Sequence, residues 1–178
     1  MNNDKNDLDS NLNQVKKMVF DPCGYDISGF VLERESKEYH ASRFLLDGNH
    51  IIYRSAKVTP KKIGQFVTFW KRNSHGVIEP LEQTDPFDFY VVTTEAESES
   101  RLGQFVFPKS VLIDKGIVSS EKKEGKRGFR LYPVWAVPNN KQAIRTQKWQ
   151  LDYFYEINDS LSLERVKKLY EPVFEATA

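Results

Sequence analysis

The sequence predicts an α+β (α/β) fold, a single domain in which a central mixed or antiparallel sheet is flanked by helices. The chain of 178 residues fits one domain comfortably. Its apolar fraction of 39% and aromatic fraction of 13% are enough to build a core. Segments with helical spacing also alternate with β-rich segments along the chain. We therefore assign residues 1–178 to one domain and expect residues 1–6 to be disordered.

The first elements are a helix and a hairpin. Residues 7–20 are predicted to be helical because apolar residues recur there at steps of three and four: Leu8, Leu12, Val15 and Val19. Asp47-Gly48 then lies between two β-rich segments, residues 39–46 and 49–55. This dipeptide is the strongest short-range hairpin signal, so two antiparallel strands are expected.

A second helix is predicted to begin at Thr59-Pro60 and to end near residues 72–76. Threonine suits the N-cap and proline the first helical position. One apolar stripe has helical spacing: Ile63, Phe66, Val67 and Trp70. Lys61 and Lys62 would then lie in the first turn, where the helix dipole is already positive. A bound anion would relieve that repulsion, so this turn is a candidate anion site.

The next segments predict another hairpin. Residues 88–94 and 104–107 are β-rich and are separated by the charged tract 95–100. Residues 109–115 are expected to form a short helix, and residues 129–134 another strand.

The C-terminal third is predicted to contain two helices and a strand between them. Residues 141–148 have a helical pattern, whereas apolar residues alternate with a period of two over residues 149–157. Asp159-Ser160 then caps a last helix over residues 160–172.

Composition argues for a cytoplasmic protein with no membrane partner. No apolar run approaches the roughly 20 residues that span a bilayer, and the N-terminus is polar. A single cysteine, Cys23, fits a reducing compartment. The net charge of +1 does not identify a partner.

The distribution of charge is more informative than the net charge. Residues 54–72 contain six basic residues and no acidic one, and residues 101–150 contain eleven basic and three acidic residues. Residues 73–100 contain seven acidic residues and no Lys or Arg. Blocks of this kind predict a polarised surface.

Four blocks of sequence, in this order and spacing, resemble the signature of the MepB family. They are RSAKVTPKKIGQFVTFWKR at 54–72, GQFVFPK at 103–109, RLYP at 130–133 and TQKWQ at 146–150. The resemblance spans about residues 35–154. It implies a bacterial cytoplasmic protein from a family whose founder is encoded beside a multidrug efflux pump and its regulator. It also implies a restriction-endonuclease-like fold, related to the PD-(D/E)xK group.

Nucleases of that group need carboxylates that hold Mg²⁺ and a lysine that orients the attacking water. If the first hairpin turns at Asp47-Gly48, Glu38 should lie opposite Lys57, with Ser55 where a second carboxylate is required. The second predicted hairpin offers a rival metal site that begins with Asp88, but Val106 stands where the lysine is needed. The candidate catalytic residues are thus Glu38, Lys57 and Asp88. Because a hydroxyl is a weak metal ligand, we expect a degenerate site without a metal or other cofactor.

The leading hypothesis is a non-enzymatic nucleic-acid-binding protein, with DNA preferred over RNA as the partner. Phosphate contacts, neutral hydrogen bonds and one stacking side chain are assigned to Arg54, Lys57, Lys61, Lys62, Gln65, Lys71, Arg72, Lys126, Arg127, Arg130, Gln147, Lys148 and Trp149. The hypothesis requires the two basic segments to lie on one surface. One alternative is an active Mg²⁺-dependent nuclease. Another is an adaptor or small-molecule-binding protein linked to drug efflux, which would need an apolar cavity.

Overall fold

The computed structural model describes residues 8–171, and strands form most of it. In chain order the strands are β1 (Ile27–Leu32), β2 (Ser42–Leu46), β3 (Asn49–Ser55), β4 (Lys57–Val58), β5 (Gln65–Thr68), β6 (Lys71–Arg72), β7 (Ile78–Glu79), β8 (Phe89–Ala96), β9 (Arg101–Pro108), β10 (Gly128–Leu131) and β11 (Phe154–Glu156). The helices are α1 (Ser10–Val15), α2 (Asp21–Cys23), α3 (Lys109–Asp114), α4 (Lys141–Gln150) and α5 (Leu163–Leu169).

Six strands form the central sheet, in the order β1-β2-β3-β8-β9-β11. The pair β3–β8 is parallel, and the other neighbours are antiparallel. The predicted α+β class with a central mixed sheet is therefore confirmed. Two smaller sheets lie beside it, one with the order β10-β5-β4 and one formed by β6 and β7.

The central sheet is buried on both faces because its strands place apolar residues alternately on the two sides. On one face, Tyr53 packs with Val15 of α1 and Val166 of α5. On the other face, Ile52 and the neighbouring strands pack with residues of the three-stranded sheet, including Phe129. The three-stranded sheet thus has one face in the core, and its other face is free to point outward.

The first predicted hairpin is confirmed, including its register from Ser42 onward, but its first strand begins at Ser42 and not at residue 39. Leu46 pairs with Asn49 and Ser42 with Tyr53. Asp47 and Gly48 both have positive φ, 49° and 85°, as a two-residue type I′ turn requires. The second predicted hairpin also forms. Its strands, β8 and β9, are longer than predicted, because their pairing continues into the charged tract as far as Ala96 and Arg101.

The helix predicted from Thr59-Pro60 to about residues 72–76 is wrong. Residues 60–64 form turns, after which the chain enters β5 and β6. Gly64 has φ of 84°, which interrupts a helix. The following residues alternate between buried and half-buried, the pattern of a strand with one face in the core. Lys61 and Lys62 therefore do not lie in the first turn of a helix, and the anion site predicted from a helix dipole there is wrong.

The terminal helices differ in extent from the prediction. A π-helical turn, Lys16–Phe20, joins α1 to α2, so the N-terminal helical segment runs beyond the predicted end at residue 20. The last helix, α5, is shorter than the predicted 160–172. The expected disorder of residues 1–6 lies outside the described residues. Across residues 8–171, none of the helices combines the length and the hydrophobicity that a membrane span needs.

Candidate functional site

The three-stranded sheet joins the two basic segments of the sequence. Phe66 of β5 is paired with Lys57 of β4 on one side and with Arg130 of β10 on the other. Residues that are directly paired project from the same face of a sheet. Because Phe129 and Leu131, the neighbours of Arg130, are buried in the core, these three side chains lie on the outer face. We call Lys57, Phe66 and Arg130 the cross-sheet row.

The row is supported by an aromatic contact that the sequence did not indicate. Tyr39 packs edge-on against Phe66, with 6.4 Å between the ring centroids. The Lys57 Nζ lies 5.2 Å from the centroid of the Tyr39 ring, within the range of a cation–π interaction. Tyr39 therefore contacts two members of the row, and Lys57 remains exposed.

Arg130 ties β10 to the loop that contains Lys61 and Lys62. Its guanidinium donates to Thr59 Oγ1 at 2.6 Å and to the Ile63 carbonyl at 3.2 Å. Both lysines are exposed in this loop. Arg130, from the basic segment 101–150, thus contacts the loop that carries Lys61 and Lys62 of the basic segment 54–72.

Gly64 permits this close approach. A Cβ atom at residue 64 would lie 2.7 Å from the Leu131 carbonyl oxygen and 2.8 Å from the Tyr132 ring. The positive φ of Gly64 is also unfavourable for residues with a side chain. Glycine is therefore required where the loop between β4 and β5 meets β10.

Arg54 is buried in the core, which removes it from the surface. Its side chain is 3% exposed and lies 2.7 Å from Glu33 Oε2. It also donates to the Tyr53 carbonyl at 2.8 Å. Glu33 accepts a second contact from Arg43 at 2.6 Å. The charge of Arg54 is thus neutralised within the protein.

Lys71 and Arg72 are also held by carboxylates. Lys71 Nζ lies 3.0 Å from Asp85, and Glu79 and Glu82 lie within 4.0 Å of it. Burial alone would lower the pKa of Lys71, but its hydrogen bond to Asp85 and the surrounding negative charges raise it. Arg72 Nε lies 2.5 Å from Glu35. The acidic segment of the sequence therefore folds back on this end of the basic one.

The remaining predicted contact residues divide into exposed and structural groups. Lys126, Arg127 and Lys148 are exposed, and Arg127 lies 3.2 Å from Glu124. Gln147 donates to the carbonyls of Pro133 and Ala136, so its amide nitrogen is already used. Trp149 is half-buried against Phe107, 5.6 Å between ring centroids, and Lys115 lies over its ring. Gln147 and Trp149 therefore support the fold around α4.

A basic pocket of about 360 Å³ lies between β10 and α4. Three cations line it, Lys115, Lys126 and Arg130, and the lining residues include no carboxylate. Lys115 was not among the predicted contact residues, although it belongs to the basic segment 101–150. The pocket continues the positive surface from the cross-sheet row toward α4.

A larger cleft, about 770 Å³, lies at the other end of the row. It brings together three residues from the nuclease comparison, Glu38, Ser55 and Lys57, and the predicted contact residue Gln65. Asp88 lies elsewhere, at the opposite end of β8, where its carboxylate accepts the His50 N–H at 2.7 Å. Glu95 and Glu97 also line the cleft, and neither was a predicted site residue.

The predicted strand pairing of Glu38 with Lys57 is wrong. Glu38 lies in a 3₁₀ turn, Lys37–Tyr39, and residues Ser36 and His40 beside this turn have positive φ. On the other side of the hairpin, Lys57 leaves the central sheet and pairs with Phe66. The hairpin register therefore holds only from Ser42 onward. In the part of the chain that the structure describes, no three His, Cys, Asp or Glu residues form a group that could hold a metal ion.

Gln65 is the most constrained polar residue of the cleft. It is 4% exposed, and its Nε2 donates to the Glu95 carbonyl at 2.9 Å. Its Oε1 is buried and has no hydrogen-bond partner among residues 8–171. Gln65 therefore contributes an unused acceptor next to the cleft.

Ser55 also lines the cleft. Its hydroxyl lies 3.2 Å from the Tyr53 hydroxyl, and burial raises the pKa of Tyr53.

Comparison with known proteins identifies a family and two similar structures. The MepB-like family model matches residues 33–156. A crystal structure of MepB is similar with a TM-score of 0.72 and 29% identity, covering 85% of this chain and 99% of that chain. A bacterial homing endonuclease gives a TM-score of 0.42 and 17% identity, covering 78% of this chain and 85% of that chain. No curated protein matches the sequence.

Proposed function

The chain belongs to the MepB-like family, and we propose that it binds nucleic acid, DNA in preference to RNA, through the outer face of the three-stranded sheet. One observation carries the proposal. Cations from two distant segments lie on or beside adjacent strands, and no carboxylate of residues 8–171 lies within 4.0 Å of them: Lys57, Lys61, Lys62, Lys126 and Arg130.

Phosphate groups are the natural partners of such cations. Each phosphate neutralised by a lysine or arginine releases counterions, so the affinity falls as salt rises. Phosphate contacts position a protein on nucleic acid without reading its sequence. The proposed face therefore favours binding that is strong at low salt and has little sequence preference.

The proposal is binding without cleavage. The sequence element Ser55-x-Lys57 has a hydroxyl where nucleases of the PD-(D/E)xK group have a carboxylate, and a hydroxyl is a poor ligand for Mg²⁺. The protein thus needs no metal or other cofactor to bind. The family resemblance adds a cytoplasmic location and a link to a multidrug efflux operon. Transcription of the gene together with an efflux pump gene would support that link.

Charge removal on the proposed face tests the binding. The variant K57Q/K61Q/K62Q should bind a short labelled duplex at least about tenfold more weakly than the wild type, and the slope of log K against log salt should fall by up to about three. The matched control is K17Q/K167Q/K168Q, which removes three exposed lysines from helices on the opposite face of the central sheet. It should bind like the wild type. Equal losses in both variants, or no binding by the wild type at low salt, would contradict the proposal.

A cleavage assay separates binding from nuclease activity. The same duplex and a single strand should stay intact with Mg²⁺ or Mn²⁺, and EDTA should leave the affinity unchanged. Cleavage that depends on the metal and is lost in Lys57→Gln would replace this proposal with a nuclease.

A further inference from the structure

We propose that the cleft holds one unstacked nucleobase of a bound single strand, with Gln65 as a hydrogen-bond acceptor and Trp135 as the stacking wall. This inference rests on the proposed function and specifies what part of the nucleic acid the cleft takes. Three properties of the cleft favour a nucleobase: its apolar walls, its unused buried acceptor and the separation of its charges.

The size and walls of the cleft suit a flat aromatic group. Its volume of about 770 Å³ lies within the roughly 300–1,000 Å³ of small-ligand sites. Apolar side chains form much of the lining: Ala56, Val58, Ile63, Pro133, Trp135 and Ala136. The Trp135 ring is held by the Arg101 guanidinium at 5.1 Å and by Phe154 at 6.0 Å. An indole that is fixed in this way provides a stacking surface for any base.

Gln65 provides the polar contact. Its amide nitrogen is bound to the Glu95 carbonyl, which fixes the orientation of the amide and leaves Oε1 as an acceptor without a donor. A buried acceptor without a donor is unfavourable, so a ligand N–H that reaches it is favoured. Every DNA base carries such an N–H on its pairing edge, and proteins read unstacked bases through that edge.

The charges of the cleft separate base from phosphate. Glu38, Glu95 and Glu97 lie in the lining together with Lys57 and Lys62. Carboxylates accept N–H groups and repel phosphate, whereas the lysines attract phosphate. A neutral base can thus enter while its phosphates stay at the lysines.

Lys57 connects the cleft to the cross-sheet row. It belongs to both, so a strand whose phosphates contact the row passes the mouth of the cleft. In a duplex the bases are paired and stacked, and extracting one is costly. The cleft therefore favours single strands over duplexes.

An abasic oligonucleotide tests this inference, because it keeps the phosphates and lacks the bases. Wild-type protein should bind a normal single strand about tenfold more tightly than an abasic strand of equal length, the loss expected for one stacked and hydrogen-bonded base. The variants Gln65→Met and Trp135→Leu should each reduce that ratio severalfold, whereas the control K17Q/K167Q/K168Q should leave it unchanged. A thermal melt of each variant shows whether it is folded.

The outcomes separate the two proposals. Equal, salt-dependent binding of normal and abasic strands by the wild type would overturn the nucleobase inference and leave nucleic-acid binding intact. Absence of binding to every strand would overturn both. The wild-type comparison needs no variant, so it decides the inference even if Gln65→Met fails to fold.

Discussion

Basic residues from one segment of the sequence have opposite roles in the structure. Arg54 and Lys71 are each held by carboxylates, Glu33 for the first and a group led by Asp85 for the second. Lys57 and Lys62, from the same segment, have no carboxylate within 4.0 Å in the described part of the chain. The number of basic residues in a sequence segment therefore overestimates the number that can bind a ligand, because folding pairs some of them with carboxylates of the same protein.

The largest expected effect comes from breaking a held pair. Glu33→Ala would leave Arg54, which is 3% exposed, with a buried charge and no carboxylate partner. Removing one member of a buried ion pair costs about 3–5 kcal/mol. The free energy of unfolding, measured with urea, should fall by that amount, whereas Lys62→Ala should change it by less than about 0.5 kcal/mol. Similar stability of the two variants would contradict the division into held and free cations.

Gly64→Ala breaks the contact between the two basic segments. Its Cβ would lie 2.7 Å from a backbone oxygen of β10, and its φ of 84° would be strained. Strain and overpacking together should cost about 2–4 kcal/mol. DNA affinity of the folded fraction should fall as well, because the loop with Lys61 and Lys62 moves away from Arg130. As a control, Gly76→Ala also has a positive φ but nothing within 4 Å of its Cβ. A loss in Gly64→Ala no larger than in this control would show that the contact with β10 is unimportant.

The salt dependence of binding compares a free lysine with a held one directly. Lys57→Gln should reduce the slope of log K against log salt by about one, the effect of one lost phosphate contact. Lys71→Gln removes the same charge but should leave the slope unchanged, since Asp85, Glu79 and Glu82 already neutralise Lys71. Equal changes in the two slopes would mean that Lys71 also contacts the nucleic acid.

The smallest expected effect is a difference in lysine reactivity. The pKa of Lys71 is raised, so this side chain stays protonated to a higher pH than a free lysine and reacts more slowly with acylating reagents. The stabilisation from its charge is complete below the unfolded pKa of about 10.4 and is lost as the pH rises through the folded pKa. Peptide mass spectrometry near pH 10 should find that Lys61 and Lys62 are acylated severalfold faster than Lys71. DNA should protect those two lysines and leave Lys71 unaffected.

Local turn chemistry made part of the fold predictable. Asp47-Gly48 specified both the first hairpin and its register, since a type I′ turn depends only on the residues within it. The segment after Thr59-Pro60 was predicted incorrectly because its apolar residues fit a helical stripe as well as a strand. Pairing of β5 with β10, more than 60 residues away, decides between the two structures.

The candidate site was predictable in composition and less so in arrangement. Ser55, Lys57 and Gln65 belong to the family signature, Glu38 was chosen from a strand pairing that does not form, and all four residues line one cleft. Glu95 was missed because it begins the acidic tract 95–100, far in sequence from the other cleft residues, and only the fold of β8 brings it to the cleft. Tyr39 was missed because its contact with Phe66 arises only after β4 pairs with β5.

The amino-acid sequence by itself determined the fold class, the first hairpin and the presence of two positively charged segments. Those features depend on side-chain spacing and turn chemistry over a few residues. Tertiary structure alone decided which cations are neutralised internally and which remain on the outer face of the three-stranded sheet. The physical reason is that a charge is paired only when an opposite charge lies within a few ångströms of it, and here the partners come from distant parts of the chain.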